Sequence, residues 1–132
     1  MTILEAIVAH LLADAGVSAI AATRVYAKSL PQSPTYPALV IHNVSGTSEH
    51  SQDGPSGLAE PRFQIDCFSP RKASSVLLVL AVQTALDGFQ GTMGGGGGVS
   101  VDAVFVENRR DDYDDELEVH VDSRDFLIMH HE

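Results

Sequence analysis

The sequence predicts an α+β fold: a mainly antiparallel sheet of about four strands, with two main helices packed on one face. Three observations carry this. Apolar residues recur at helical spacing near the N-terminus and again in the segment SSVLLVLAVQTAL. Four other segments, ALVIHNVSG, RFQIDCFS, VSVDAVFVEN and LEVHVDSRDFLIM, are β-branched or alternate between apolar and polar residues. Their order puts the strands in pairs that hairpins can join, so only the second helix needs to cross over.

The elements follow in turn. Ile3, Leu4, Ile7, Val8, Leu11 and Leu12 share one helix face, with Thr2 placed to cap the start and Gly16 to stop it. A short second helical piece reaches Ala22, and Arg24 to Ala27 is briefly extended. The three prolines of LPQSPTYP (Leu30–Pro37) exclude a helix there. Ala38–Gly46 reads as a strand. Thr47–Pro61 is polar and turn-rich. In Arg62–Ser69, Phe63, Ile65 and Cys67 fall on one face and Arg62, Gln64 and Asp66 on the other. Ser69 and Pro70 suit the N-cap and first turn of a helix that runs to about Asp87 and stops at Gly88. Gly91–Gly98, with five consecutive glycines, reads as a flexible connector or loop tip. Val99–Asn108 is a strand, RRDDYDDE a charged turn, and Leu117–Met129 the last strand, whose apolar residues change face near Ser123–Phe126 as a bulge would cause.

The chain of 132 residues, 44% hydrophobic, reads as a single domain over 1–132, large enough to bury about two thirds of its unfolded surface without a metal or disulfide staple. Its lone cysteine, Cys67, cannot form an internal disulfide, which suits intracellular assembly. The opening MTILEAIVAHLLADAG has no basic region before its apolar residues and does not read as a secretory signal. No run of 18 apolar residues exists, so no membrane partner is expected. Eighteen acids against eight bases give a charge of −10, which disfavours binding to nucleic-acid phosphates. Half of the acids fall between Glu107 and Asp125.

The candidate chemistry is thin. Ser56 sits in Gly54-Pro55-Ser56-Gly57-Leu58, where the second glycine comes one place too early for a nucleophile elbow and a strand, not a helix, follows. The string reads as a turn. Cys67 alternates onto the apolar face and reads as core; a catalytic role would require a histidine such as His42 beside it. The six histidines lack metal spacing, and neither C-x-x-C nor H-E-x-x-H occurs. The acidic run Asp111–Glu118 fails as an EF-hand loop: from Asp112, the sixth position is Leu117 and the twelfth Ser123. It reads as a solvated hairpin turn, or as a charged contact surface for a partner. The glycine run lacks the lysine and Ser/Thr of a phosphate-binding loop. No catalytic residue, cofactor site or metal site is assigned.

Four blocks, in order along the chain, carry a resemblance. They are RVYAKSLPQSPTYPALVIHNVSGT, DGPSGLAEPRFQIDCFS, ALDGFQGTMGG and VENRRDDYDDELEVHVDSRDF. With them the chain resembles the tail-completion, or tail-terminator, proteins of long-tailed bacteriophages and phage-like particles, from the first helix to the last strand. It departs from their pattern in a longer glycine run, and in Ile41 and His42 where the family usually ends a strand with an aromatic. The resemblance implies a structural, non-enzymatic virion protein of the tail or neck, assembled in the host cytoplasm. It implies a homohexameric ring that caps the head-proximal end of the tail tube, stops tube polymerisation and joins the tail to the head connector. The implied partners are the tail tube protein and a connector or stopper protein. DNA passes through the lumen without specific binding, and a negative lumen would repel its phosphates. The alternatives are another neck ring (a head–tail stopper or adaptor), a small hydrolase using Ser56 or Cys67, and an acidic DNA mimic. Candidate subunit or partner contacts are Ser51, Asp53, Gly54, Pro55, Ser56, Gly57, Leu58, Arg109, Asp111, Asp112 and Tyr113. The segment Thr47–Pro61 is expected to reach an adjacent subunit.

Overall fold

Thr2 starts the first helix as a capping box: its hydroxyl accepts from the Glu5 N–H at 3.1 Å, and the Glu5 carboxylate accepts from the Thr2 N–H at 2.8 Å. Those bonds hold the exposed Glu5 carboxyl below its usual range, the backbone bond to Thr2 most of all. The computed structural model describes residues 1–45 and 58–131. Helix α1 spans Ile3–Ala13 and α2 spans Ala15–Ala21. The break between them is made by Asp14 and not by Gly16. Asp14 ends α1 and turns its carboxylate to accept from the Val17 N–H at 3.0 Å, which caps α2.

The strands are β1 (Val25–Ala27), β2 (Ala38–Ser45), β3 (Leu58–Ala59), β4 (Arg62–Ser69), β5 (Gly91–Met93), β6 (Val99–Asp114) and β7 (Val119–His131), with α3 at Lys72–Leu86 between β4 and β5. They form one sheet in the order β1-β2-β4-β7-β6-β5, with β3 pairing the far end of β7. Every pair is antiparallel except β1 with β2. The α+β class, the two main helices and the helix-covered face therefore stand, with α2 as the short second helical piece and β1 as the brief extended segment, but among the described residues the four main strands expected are joined by β3 and β5 as well as β1, and one pair is parallel. β3 and β5, which the sequence did not suggest, are too short for periodicity to reveal. They exist because longer neighbours offer them a ladder.

One cluster joins the helices to the sheet. Ile7 and Leu11 of α1, Val17 of α2, and Leu78, Val82 and Leu86 of α3 pack on Leu39, Ile41, Phe63, Ile65, Cys67, Phe126 and Ile128. Strand β4 alternates strictly, with Phe63, Ile65, Cys67 and Ser69 buried. Helix α3 begins later than Ser69-Pro70 suggests, because Ser69 stays in the ladder opposite His120. Arg71 takes the N-cap position without a side-chain bond, and the Ser69 hydroxyl accepts from the Arg71 N–H at 3.2 Å.

The glycine run is a loop tip, closing the turn between β5 and β6. Gly91–Met93 is β5, and Met93 is fully buried. Gly94 has φ +95°, and a Cβ there would sit 3.2 Å from the Ala6 Cα. At Gly98 a Cβ would run into the Met93 carbonyl. At Gly94 helix α1 comes so close, and at Gly98 the turn's own backbone, that only glycine fits at those two places.

Strand β6 is longer than expected, because the charged residues Arg109–Asp114 continue it, opposite Val119–Arg124 of β7. The turn shrinks to residues 115–118. The expected irregularity in β7 lies in its partner: Val106 faces Phe126 and Asn108 faces Asp125, so Glu107 is an extra residue on β6. β7 itself pairs without interruption to β4 from His120 to Leu127.

Candidate functional site

The β6–β7 hairpin gathers most of the charged side chains, and strand alternation sorts them onto two faces. Asp122 and Arg124 point to α3, together with Asp111 and Arg109 across the ladder. Ser123 and Asp125 point away from the helices, with Arg110 and Asn108. This explains why apolarity lapses in mid-strand: residues 122–125 are all buried and all polar, and each finds a partner.

On the helix face the Asp122 carboxylate accepts from the Ser75 hydroxyl at 2.6 Å and from the Lys72 ammonium at 3.1 Å. Lys72 also reaches Asp111 at 3.2 Å. Partial burial pulls the lysine pKa down, but the two carboxylates outweigh it and the net shift is upward. The network clamps the start of α3 to the hairpin. Arg124 donates from Nε to the Gln83 side-chain oxygen at 3.0 Å and from Nη1 to the Ser123 carbonyl at 3.2 Å.

On the bare face Asp66 accepts from His42 Nε2 at 2.9 Å, from Gln64 at 2.8 Å and from the Ser123 hydroxyl at 2.6 Å. Arg110 pairs with Asp125 at 3.1 Å. An open groove of about 660 Å³ runs over these residues between Phe68 and the Tyr113 end of the hairpin. The sheet curls enough that Tyr36, in the loop before β2, feels Asp114; burial first, and then that charge, raise its pKa.

Among the described residues the arrangement does not assemble a nucleophile. Cys67 is completely buried among the helices, and burial pushes its thiol well above the usual range. His42 bonds Asp66 on the opposite face of the sheet, so the Cys67–His42 pairing does not form. Among the described residues no group of three or more His, Cys, Asp or Glu could hold a metal ion. Among them, too, no single helix is long and apolar enough to cross a membrane.

The anticipated contact residues fall into separate places. Ser51, Asp53, Gly54, Pro55, Ser56 and Gly57 lie outside the described residues, as does most of Thr47–Pro61. Leu58 is in β3, opposite His131. Arg109, Asp111, Asp112 and Tyr113 are exposed on β6, and Tyr113 packs edge-on against His120 at 4.9 Å. Tyr113 and Leu58 thus sit at opposite ends of β7, about 35 Å apart along the strand at about 3.3 Å per residue. Asp66, Lys72, Asp122, Arg124 and Asp125 were not anticipated. The uninterrupted polar block Asp122-Ser123-Arg124-Asp125 in a mainly apolar strand was the visible signal of the last three.

Comparison with known proteins identifies this architecture. The family model described as tail completion protein gp17 matches residues 5–130. The chain belongs to that family. It is a structural tail protein of a virion. Its fold is similar to a chain in the virion of a native gene transfer agent particle, with a TM-score of 0.73 and 19% identity, covering 96% of this chain and 93% of that one. Among curated proteins no match is found. The tail-completion match runs from α1 to the end of β7, so it takes in the whole helix-covered sheet and the charged hairpin.

Proposed function

We propose that this tail completion protein is a tail terminator: a ring, most simply a homohexamer, that caps the head-proximal end of the tail tube, stops its polymerisation and receives the head connector. The observation that carries the reading is the family match over residues 5–130. A non-enzymatic role accords with the inaccessible Cys67 thiol. Open sheet edges also favour assembly. β5 covers β6 only at Val99–Val101, and β1 covers β2 only at Leu39–Ile41.

In this reading the tail tube and a connector or stopper protein are its partners. DNA crosses the centre of the ring without sticking, kept off by the net charge of −10. The segment Thr47–Pro61 reaches a neighbouring subunit, so deleting residues 51–59 abolishes rings and leaves a folded monomer. Intact rings after that deletion would remove this part of the proposal. The terminator role is tested by mixing the purified protein with purified tail tubes and, separately, with capsid connectors. A terminator caps one end of the tubes and blocks further growth. A protein that bound only connectors and left tube growth unchanged would instead be a stopper or adaptor.

A further inference from the structure

The sheet has an open backbone edge at each end. At one end β1 is the outermost strand. The Leu39 N–H donates to the Arg24 carbonyl at 3.0 Å, and the Lys28 N–H donates to the Ile41 carbonyl at 2.9 Å. By alternation Val25 and Ala27 turn their own amide and carbonyl groups away from β2. At the other end the loop after α3 covers β6 at Val104 and Val106, through Gly88 and Asp87. Past Glu107 no strand among the described residues pairs the outer side of β6. Arg109, Asp111 and Tyr113 lie opposite Arg124, Asp122 and His120. Those three turn their backbone towards β4, as Ile128 does in bonding Pro61, so Arg109, Asp111 and Tyr113 present theirs to the open side.

Charge is divided between the same two ends. Residues 15–48 include Arg24 and Lys28 and no acid. Arg24 donates only to the Pro37 and Ile20 carbonyls, and the exposed Lys28 has no ion pair among the described residues. Residues 111–118 hold six acids and no base. Of these acids only Asp111 has an ion pair among the described residues, to Lys72.

Shape agrees with charge. A hollow of about 310 Å³ beside β1 is lined by Leu4, Val8, Ala9, Leu12 and Ala27, and by Glu5, whose carboxylate is tied to the Thr2 N–H. Leu12 is 39% exposed there. On β6 the Tyr113 side chain is on the helix side of the sheet, by alternation with Asp111, and is 45% exposed.

We propose that the open edge of β6 at Asp111–Tyr113 pairs with β1 of a second copy of this chain, so that the sheet runs on from subunit to subunit. β1 and β6 run in opposite senses, so a neighbour in the same orientation joins antiparallel. With Ala27 opposite Tyr113, the Tyr113 ring covers the apolar hollow, Lys28 comes opposite Asp112, and Arg24 meets the acidic turn. Arg109 and Arg110 lie past Lys28, outside the ladder. Main-chain bonds hold the joint, and the hollow and the charges set its register. Within one chain β2, β4 and β7 separate the two edges by about 19 Å along the sheet, so the pairing is between copies. The two edges differ, so the contact is head-to-tail and propagates into a ring. The inference rests on the ring reading above and names one of its joints.

The test is made on the full chain by sedimentation, with melting as the control for folding. A27P removes an outward N–H that the monomer leaves unpaired, so Tm should hold while self-association falls at least about tenfold. K28E, and separately D112K, should each weaken association about tenfold, and the combined K28E/D112K chain should recover much of it. A wild-type chain that stays monomeric at tens of micromolar would overturn the proposal. So would a folded A27P or either charge variant assembling like wild type, or a combined chain no better than its parents. Should a variant misfold, K28C/D112C serves instead: oxidation should give a ladder of linked chains, and the absence of links between chains would refute the contact. Failure here with tube capping intact leaves the terminator reading standing, whereas tubes indifferent to the protein remove that reading whatever the joint does.

Discussion

Replacing Asp122 with alanine is the sharpest perturbation of the scaffold. Its carboxylate is 5% exposed and joins α3 to the hairpin through Ser75 at 2.6 Å and Lys72 at 3.1 Å. A hydrogen bond to a charged group contributes about 1.5–3 kcal/mol, and stranding a buried hydroxyl costs about 1–3 kcal/mol. Ser75 keeps a bond to the Lys72 carbonyl at 3.0 Å, which softens the second cost. Lys72 is 42% exposed, so its ion pair is screened and adds little. The expected loss is therefore about 3 kcal/mol, or about 10 °C in Tm for a domain of this size. The control is D111A. Asp111 also meets Lys72, but at 71% side-chain exposure, so its loss should cost under about 0.5 kcal/mol. Urea and thermal unfolding of both variants read the difference. Equal losses would refute the reasoning, because they would mean that burial of the carboxylate is not what gives the clamp its strength.

Three further outcomes are expected. Cys67 should resist thiol reagents at pH 8 in the native protein and react fully in urea; rapid native labelling would contradict its burial. G94A should destabilise by more than about 1 kcal/mol, because of its positive φ and the contact with Ala6, whereas G96A, with nothing near its Cβ, should be close to neutral in the same melts. Lys72 has a raised folded pKa, so its small contribution should be complete below the ordinary lysine value, about 10.4, and fade as pH climbs through the higher folded value; a stability–pH profile of wild type against K72M reads this, and a difference largest above that window would contradict the sign.

Much of the scaffold was legible because its signals are periodic. Thr2 announced a cap, and Phe63, Ile65 and Cys67 announced a buried face. What was not legible depends on contacts between distant segments. Gly91–Met93 has no strand character of its own and becomes β5 only beside β6. Gly94 looked like slack in the chain until Ala6 was found against it. Arg109–Asp114 carries turn-like charge yet continues as strand, because β7 supplies a ladder for every residue. The contact residues were legible only in part. Arg109, Asp111, Asp112 and Tyr113 share one exposed stretch, but the buried stretch opposite, Ser123–Phe126, looked like a bulge.

The central claim is that this protein ends the tail tube, and tube length measures that directly. Particles assembled without the protein, imaged and measured beside those assembled with it, should carry tubes that overrun the normal length and lack heads. Tubes of normal length, ending in attached heads, would contradict the account.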